Sequence, residues 1–210
     1  MRILLTGFEP FNNGKLNPSE QIVRAIASQF EAGDAIEGVE LHTAVLPVVF
    51  TESSELLRHL IALHRPEAIV SLGQAEGRKE LSFERVAINL DDARIADNAG
   101  RQLTDQPIIA GGSAAHFTTL PVRQLIEAVR AEGVAAGLSL SAGTFVCNHI
   151  FYNLQHALQG QQVVSGFIHV PLMNEQAADF PGLTTVPLAD QVRGIRAVLA
   201  TLAEGVSLTS

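Results

Sequence analysis

The sequence predicts a single α/β domain over residues 1–210, with a mostly parallel, twisted sheet covered by helices on both faces. Short apolar runs end in glycine-bearing loops, amphipathic stretches of helical length alternate with them, and the composition is that of a globular chain. The 210 residues are 47% hydrophobic and 17% charged, with 17 Gly and 9 Pro, which excludes disordered, collagenous and low-complexity classes. One domain of this length buries roughly 70% of its unfolded surface and needs no covalent staples. Strands alternating with helices imply parallel pairing, and in such sheets sites gather at the carboxyl ends of the strands.

Ile3 to Thr6 is a short apolar run ending at Gly7, a buried strand feeding a loop. Asn17-Pro18-Ser19-Glu20 opens a helix, with Asn17 as cap, Pro18 in the first helical position and Glu20 placed to reach back toward the cap. Ile22, Val23, Ile26 and Phe30 form its apolar face. Val39 to Leu46 reads as a strand, and Thr51 to His64 as a helix stopped by Pro66. Ala68 to Leu72 is a second apolar run, closing on Gly73 and the loop Gln74-Ala75-Glu76-Gly77-Arg78. Ser82 to Leu90 alternates as one strand should. The spacing of Val122, Leu125, Ile126 and Val129 predicts a helix over 121–131, ended by Gly133. Val134 to Leu140 and Val163 to Val170 read as strands, His149 to Leu158 and Pro187 to Leu202 as helices.

The charge balance, 14 Lys+Arg against 22 Asp+Glu for a formal net of −8, argues against nucleic acid and anionic membrane surfaces as partners. The start Met1-Arg2-Ile3-Leu4-Leu5-Thr6-Gly7 contains an apolar run too short for a signal h-region of about 7–15 residues. No run approaches the roughly 20 residues of a membrane span. Cys147 is the single cysteine, so no internal disulfide forms, and the expected compartment is the reducing cytoplasm.

Cys147 follows Ser141-Ala142-Gly143-Thr144-Phe145-Val146, a junction between a strand and a helix. Unpaired N–H groups at a helix start favour a thiolate and could stabilise an oxyanion. The competing reading is a small buried hydrophobe. Seven histidines compete as its base. On a helix His149 points about 200° away from Cys147; His156 shares a face with His149 but lacks further ligands for a metal; His59 and His64 belong to an amphipathic helix. His169 ends the apolar strand Val163 to Ile168 before Pro171, where sites gather, although it reads equally as a satisfied strand-end histidine.

By period two, Glu84 shares a face with Val86, Ile88 and Leu90, an expensive place for an unpaired carboxylate. It either pairs with an arginine such as Arg78 or Arg94 or orients a histidine. Taken with Cys147 and His169 it makes a Cys–His–carboxylate set. Asp91, Asp92 and Asp97 lack a coordination spacing and read as a solvated turn. Gly111-Gly112 lacks the lysine of a phosphate loop. No cofactor and no metal is called for.

At these residues the sequence resembles the pyroglutamyl peptidase type I (pyrrolidone-carboxylate peptidase) family of cytosolic cysteine exopeptidases. The resemblance rests on Leu4-Leu5-Thr6-Gly7-Phe8-Glu9-Pro10-Phe11, Gly73 to Arg78, Glu84-Arg85-Val86-Ala87-Ile88-Asn89, Asp92-Ala93-Arg94-Ile95, Ala142 to Asn148 and Gly166-Phe167-Ile168-His169-Val170-Pro171. It implies a three-layer α/β/α sandwich, phosphorylase/hydrolase-like, and removal of an N-terminal pyroglutamyl residue from peptides. It implies Cys147 as nucleophile, His169 as base and Glu84 as orienting acid. Phe8 and Phe11 would sandwich the ring, Gln74 would bond its polar edge, and Phe145 and Val146 would complete the slot. Arg94 would help stabilise negative charge. A homotetramer is also implied. Glu76 and Leu172-Met173-Asn174 depart from the family pattern, which touches substrate affinity more than chemistry. Other readings are a nucleoside phosphorylase-like enzyme of the same fold, which phosphate-dependent base release would reveal, and a non-catalytic binder of blocked peptide N-termini, which would bind without turnover.

Overall fold

The computed structural model describes residues 1–205; the last stretch of the domain predicted over 1–210, from 206 onward, lies outside the described residues. The elements run β1 (Arg2–Phe8), α1 (Pro18–Glu31), β2 (Glu40–Leu46), α2 (Phe50–His64), β3 (Ala68–Gln74), β4 (Leu81–Glu84), β5 (Val86–Ile88), β6 (Ala115–Phe117), α3 (Val122–Ala131), β7 (Ala136–Ser139), α4 (Val146–Ala157), β8 (Val164–Val170), a 3-10 turn (Asn174–Gln176) and α5 (Leu188–Ala203).

Six strands form one sheet in the order β2-β1-β3-β8-β4-β7. The first four are mutually parallel, whereas β4 runs antiparallel to β8 and parallel to β7. Strand alternation divides the core in two. Ile3, Leu5, Val70, Leu72, Phe83 and Ile168 face a layer built from α1, α3 and α5. Leu4, Ile69 and Phe167 face α2 and α4. The result is a three-layer α/β/α sandwich with a mostly parallel centre.

Asn17 caps α1 as its position predicts, its Oδ1 accepting from Ser19 N–H at 3.0 Å, with Pro18 in the first turn. Glu20 does not reach back toward the cap. It pairs instead with Arg24 at 2.8 Å, while the Ser19 hydroxyl donates to Asn17 Oδ1 and accepts from Phe8 N–H. The alternation over 82–90 is not one strand. Arg85 N–H bonds Ser139 O on the sheet side, while Arg85 O accepts from Thr118 N–H, so the chain leaves the sheet and enters a separate ribbon of β5 and β6. Helix α4 also begins earlier than the expected His149, at Val146. The three aspartates are not a solvated turn either. Asp91 is buried and bonded to His149, and Asp97 is buried and accepts from the N–H groups of Phe50, Ala99 and Arg101, whereas Asp92 is exposed.

Candidate active site

The antiparallel junction of β8 and β4 brings the carboxylate and the imidazole together. Their register sets Ser82 opposite His169 and Phe83 opposite Ile168. Glu84 is therefore the diagonal neighbour of His169 on the same sheet face, within reach of a long side chain. His169 Nδ1 donates to Glu84 Oε1 at 2.8 Å, with Glu84 fully buried and His169 5% exposed. Both alternatives for Glu84 hold at once, since Arg78 Nη2 lies 3.6 Å from the same oxygen. That guanidinium also donates to Ser139 Oγ and Ser141 O, tying the acid to the loop that leads into α4.

Cys147 occupies the second position of α4. Its sulfur lies over Gly73, where an added Cβ would come within 2.7 Å of Sγ. Gly73 is the register partner of His169 on the adjacent strand, so the space left by a missing side chain holds the thiol beside the imidazole. No side chain caps α4, and the first helical bond back runs from His149 N–H to Phe145 O, which leaves the preceding first-turn N–H groups without helical partners. The segment is clamped from below by Asn148, whose side chain bonds Ile88 N–H, Ile88 O and Leu90 O.

The expectation that the helix start lowers the Cys147 thiol is overturned. Burial, and after it the Glu84 carboxylate, push the thiol up to about 12, against the lowering by its own backbone N–H. Water is a better solvent for a thiolate than this half-buried slot is.

A cavity of about 690 Å³ contains Cys147 and His169. Phe8, Phe11, Gln74, Phe145, Val146 and Arg94 also line it. Glu84 stands behind His169, outside the lining. Phe8 is almost wholly buried against Phe167, while Phe11 tilts against Phe145 at 6.2 Å. His149 turns away as its spacing predicts, donating from Nδ1 to Asp91 at 2.7 Å. His116 and His156 face one another at 3.3 Å, remote from the thiol in the fold. Among the described residues no group of three or more His, Cys, Asp or Glu is arranged to hold a metal ion, and no helix is long and apolar enough to cross a membrane. Two participants escape the sequence reading: Gly73, taken as the mere end of a strand, and Gln176, which hydrogen-bonds Gln74.

An α/β sandwich with a thiol at a helix start and a buried histidine–carboxylate pair beside it has the make-up of a cysteine hydrolase. The sequence profile of the pyroglutamyl peptidase family matches residues 1–205. A pyrrolidone-carboxylate peptidase of Ralstonia nicotianae is 47% identical over 201 residues, covering 95% of this chain and 91% of that one. One of Gloeobacter violaceus is 46% identical over 203 residues, covering 96% and 97%. The crystal structure of Bacillus amyloliquefaciens pyroglutamyl peptidase I superimposes with a TM-score of 0.90 at 37% identity, over 97% of each chain. The chain belongs to the pyroglutamyl peptidase family, cysteine exopeptidases that remove N-terminal pyroglutamate from peptides.

Proposed function

We propose that Cys147, His169 and Glu84 carry out this hydrolysis as nucleophile, base and orienting acid. The observation that supports the reading is the buried His169–Glu84 hydrogen bond on the sheet face where Gly73 makes room for the Cys147 sulfur. With Nδ1 held by the carboxylate, Nε2 is the nitrogen free to move a proton.

The resting thiol is neutral, so attack and proton transfer go together. As sulfur bonds to the pyroglutamyl carbonyl carbon, the thiol proton passes to His169 and negative charge moves to the carbonyl oxygen. The first-turn N–H groups of α4 meet that charge, with Arg94 adding to the field. When the intermediate collapses, His169 gives its proton to the leaving amine as the C–N bond breaks, which leaves an acyl-enzyme. Water then loses a proton to His169 and attacks the thioester carbonyl. The C–S bond breaks and Cys147 regains its proton.

The substrate ring explains the lining. A pyroglutamyl group has no cationic amine, so its site needs an apolar slot with a few donors and acceptors. Phe8, Phe11, Phe145 and Val146 form the slot, and Gln74 meets the lactam edge. Glu76, exposed on the loop beyond Gln74, also lines the cavity.

Hydrolysis of a pyroglutamyl amide by the purified protein tests the assignment. Cys147→Ser and His169→Ala each lose turnover by at least about a thousandfold; normal turnover by both variants refutes these roles. Residues 1–210 are taken to work as one domain in the cytoplasm, where a lone nucleophilic thiol stays reduced. The family resemblance implies a homotetramer, which light scattering in solution tests; Phe117, Leu138 and Leu140 are exposed apolar side chains that an interface would cover.

A further inference from the structure

Gln176 ends the 3-10 turn after β8 and is 3% exposed. Its side-chain oxygen accepts from Met173 N–H at 3.1 Å, and its nitrogen donates to Leu16 O at 3.3 Å and to Gln74 Oε1 at 3.0 Å. Two of these partners are backbone groups whose polarity is fixed, because an N–H only donates and a C=O only accepts. Turning the Gln176 amide over would set donor against donor and acceptor against acceptor in a buried site, leaving several groups unpaired. Gln176 thus has one orientation. It imposes one on Gln74, whose oxygen must face the Gln176 nitrogen. Gln74 lines the cavity, and Nε2 is the end of its side chain without a protein partner among the described residues.

We propose that Gln176 is a positioning residue that fixes Gln74 as a hydrogen-bond donor toward the substrate, so that the site selects an N-terminal ring carrying an acceptor carbonyl. This rests on the reading that Gln74 meets the lactam edge. A prolyl ring, which lacks the carbonyl, leaves the Gln74 donor unpaired and brings a charged amine into the apolar slot; sites built around such a donor reject the analogue that cannot accept from it. The device needs no charge, which suits a ring that has none. It also links three segments: the β1–α1 loop through Leu16, the end of β3 through Gln74, and the turn that follows His169 on β8.

The test compares a pyroglutamyl amide with its thiolactam counterpart bearing the same leaving group, since sulfur is a weak acceptor. The native protein prefers the oxygen compound. Gln176→Glu offers only acceptors, so Gln74 turns its nitrogen inward and shows its oxygen to the substrate. The KM for the pyroglutamyl amide then rises about tenfold or more with kcat little changed, and the oxygen-over-sulfur preference collapses toward one. Gln176→Met, which removes the amide at similar volume, frees Gln74 to adopt either orientation, so the preference falls part of the way, and it serves should the Glu variant not fold. Gln74→Leu separates the two layers of the argument. If Gln74→Leu loses the preference while both Gln176 variants keep it, the positioning role is overturned and the Gln74 contact stands. If Gln74→Leu also keeps the preference, the Gln74 contact itself is wrong and the proposal falls with it.

Discussion

Replacing Gly73 by alanine tests whether the thiol is placed by an absence. Gly73 lies within β3 and has no left-handed backbone angle, so alanine fits its conformation and the effect is purely steric. The new Cβ would stand 2.7 Å from Cys147 Sγ and 2.7 Å from Phe167 Cζ, where ordinary contact begins near 3.4 Å. Two neighbours are thus each about 0.7 Å too close. Phe167 is 1% exposed and hemmed in by Phe8 and Phe151, with ring centroids 6.4 and 6.0 Å away, so it is the sulfur that has to give. Displacing a nucleophile by close to an ångström costs on the order of a hundredfold in rate. The overpacking costs about 1–3 kcal/mol, which lowers the melting temperature by about 2–4 °C for each kcal/mol at this chain length. Steady-state hydrolysis of a pyroglutamyl amide and a thermal melt read the two effects separately. A variant with kcat within threefold of the native protein and an unchanged melt would show that Gly73 does not set the sulfur position.

Two further outcomes follow from the charges around the site. Arg78→Ala removes the cation 3.6 Å from the buried Glu84; because the arginine side chain is 37% exposed and solvent already screens it, the loss is about 1 kcal/mol, seen as a melting temperature lower by about 2–4 °C. An unchanged melt shows that the contact contributes nothing. The raised Cys147 thiol gives a stability that is intact below the ordinary thiol value of 9.0 and falls as pH climbs from there toward about 12, since the unfolded chain ionises first. Denaturant midpoints between pH 8 and pH 11 decline more steeply for the native protein than for Cys147→Ser; identical slopes would remove the raised thiol from the account.

What was legible in the sequence followed from local rules. Caps, breakers and apolar spacing place α1 at Asn17-Pro18 and end α2 before Pro66, because those signals act within a turn of the residue concerned. The candidate residues Cys147 and His169 stand out by position, at a helix start and a strand end, and the fold brings them to one cavity. What failed was anything that depends on where the chain goes next. Glu84 was singled out on a face shared with Val86 and Ile88, yet those residues belong to a different ribbon; alternation continues through Arg85 while the backbone changes partners there. The thiol was read from the helix start alone, and burial, a property of the whole fold, outweighs it. Gln176 carried no signal because its importance lies in two backbone groups, Met173 N–H and Leu16 O, which sequence does not mark.

The antiparallel strand β4 resolves an apparent conflict in the site. Glu84 raises the cost of ionising Cys147, so a carboxylate so close looks counterproductive for a thiol enzyme. Its effect has to be weighed over the whole proton transfer proposed for Cys147 and His169. Before transfer, the neutral thiol gains little from the charge. After it, a thiolate is opposed by Glu84, but an imidazolium is held by the same carboxylate through a direct hydrogen bond of 2.8 Å. Attraction across a charge-assisted bond in a buried site exceeds repulsion acting from further off. That balance requires Glu84 to touch the histidine and not the cysteine. Diagonal pairing between β4 and β8 on one sheet face, with the sulfur brought in by α4 over Gly73, meets the requirement. In the proposed reaction the carboxylate thereby disfavours a free thiolate and favours the imidazolium that forms as the sulfur bonds to the carbonyl carbon.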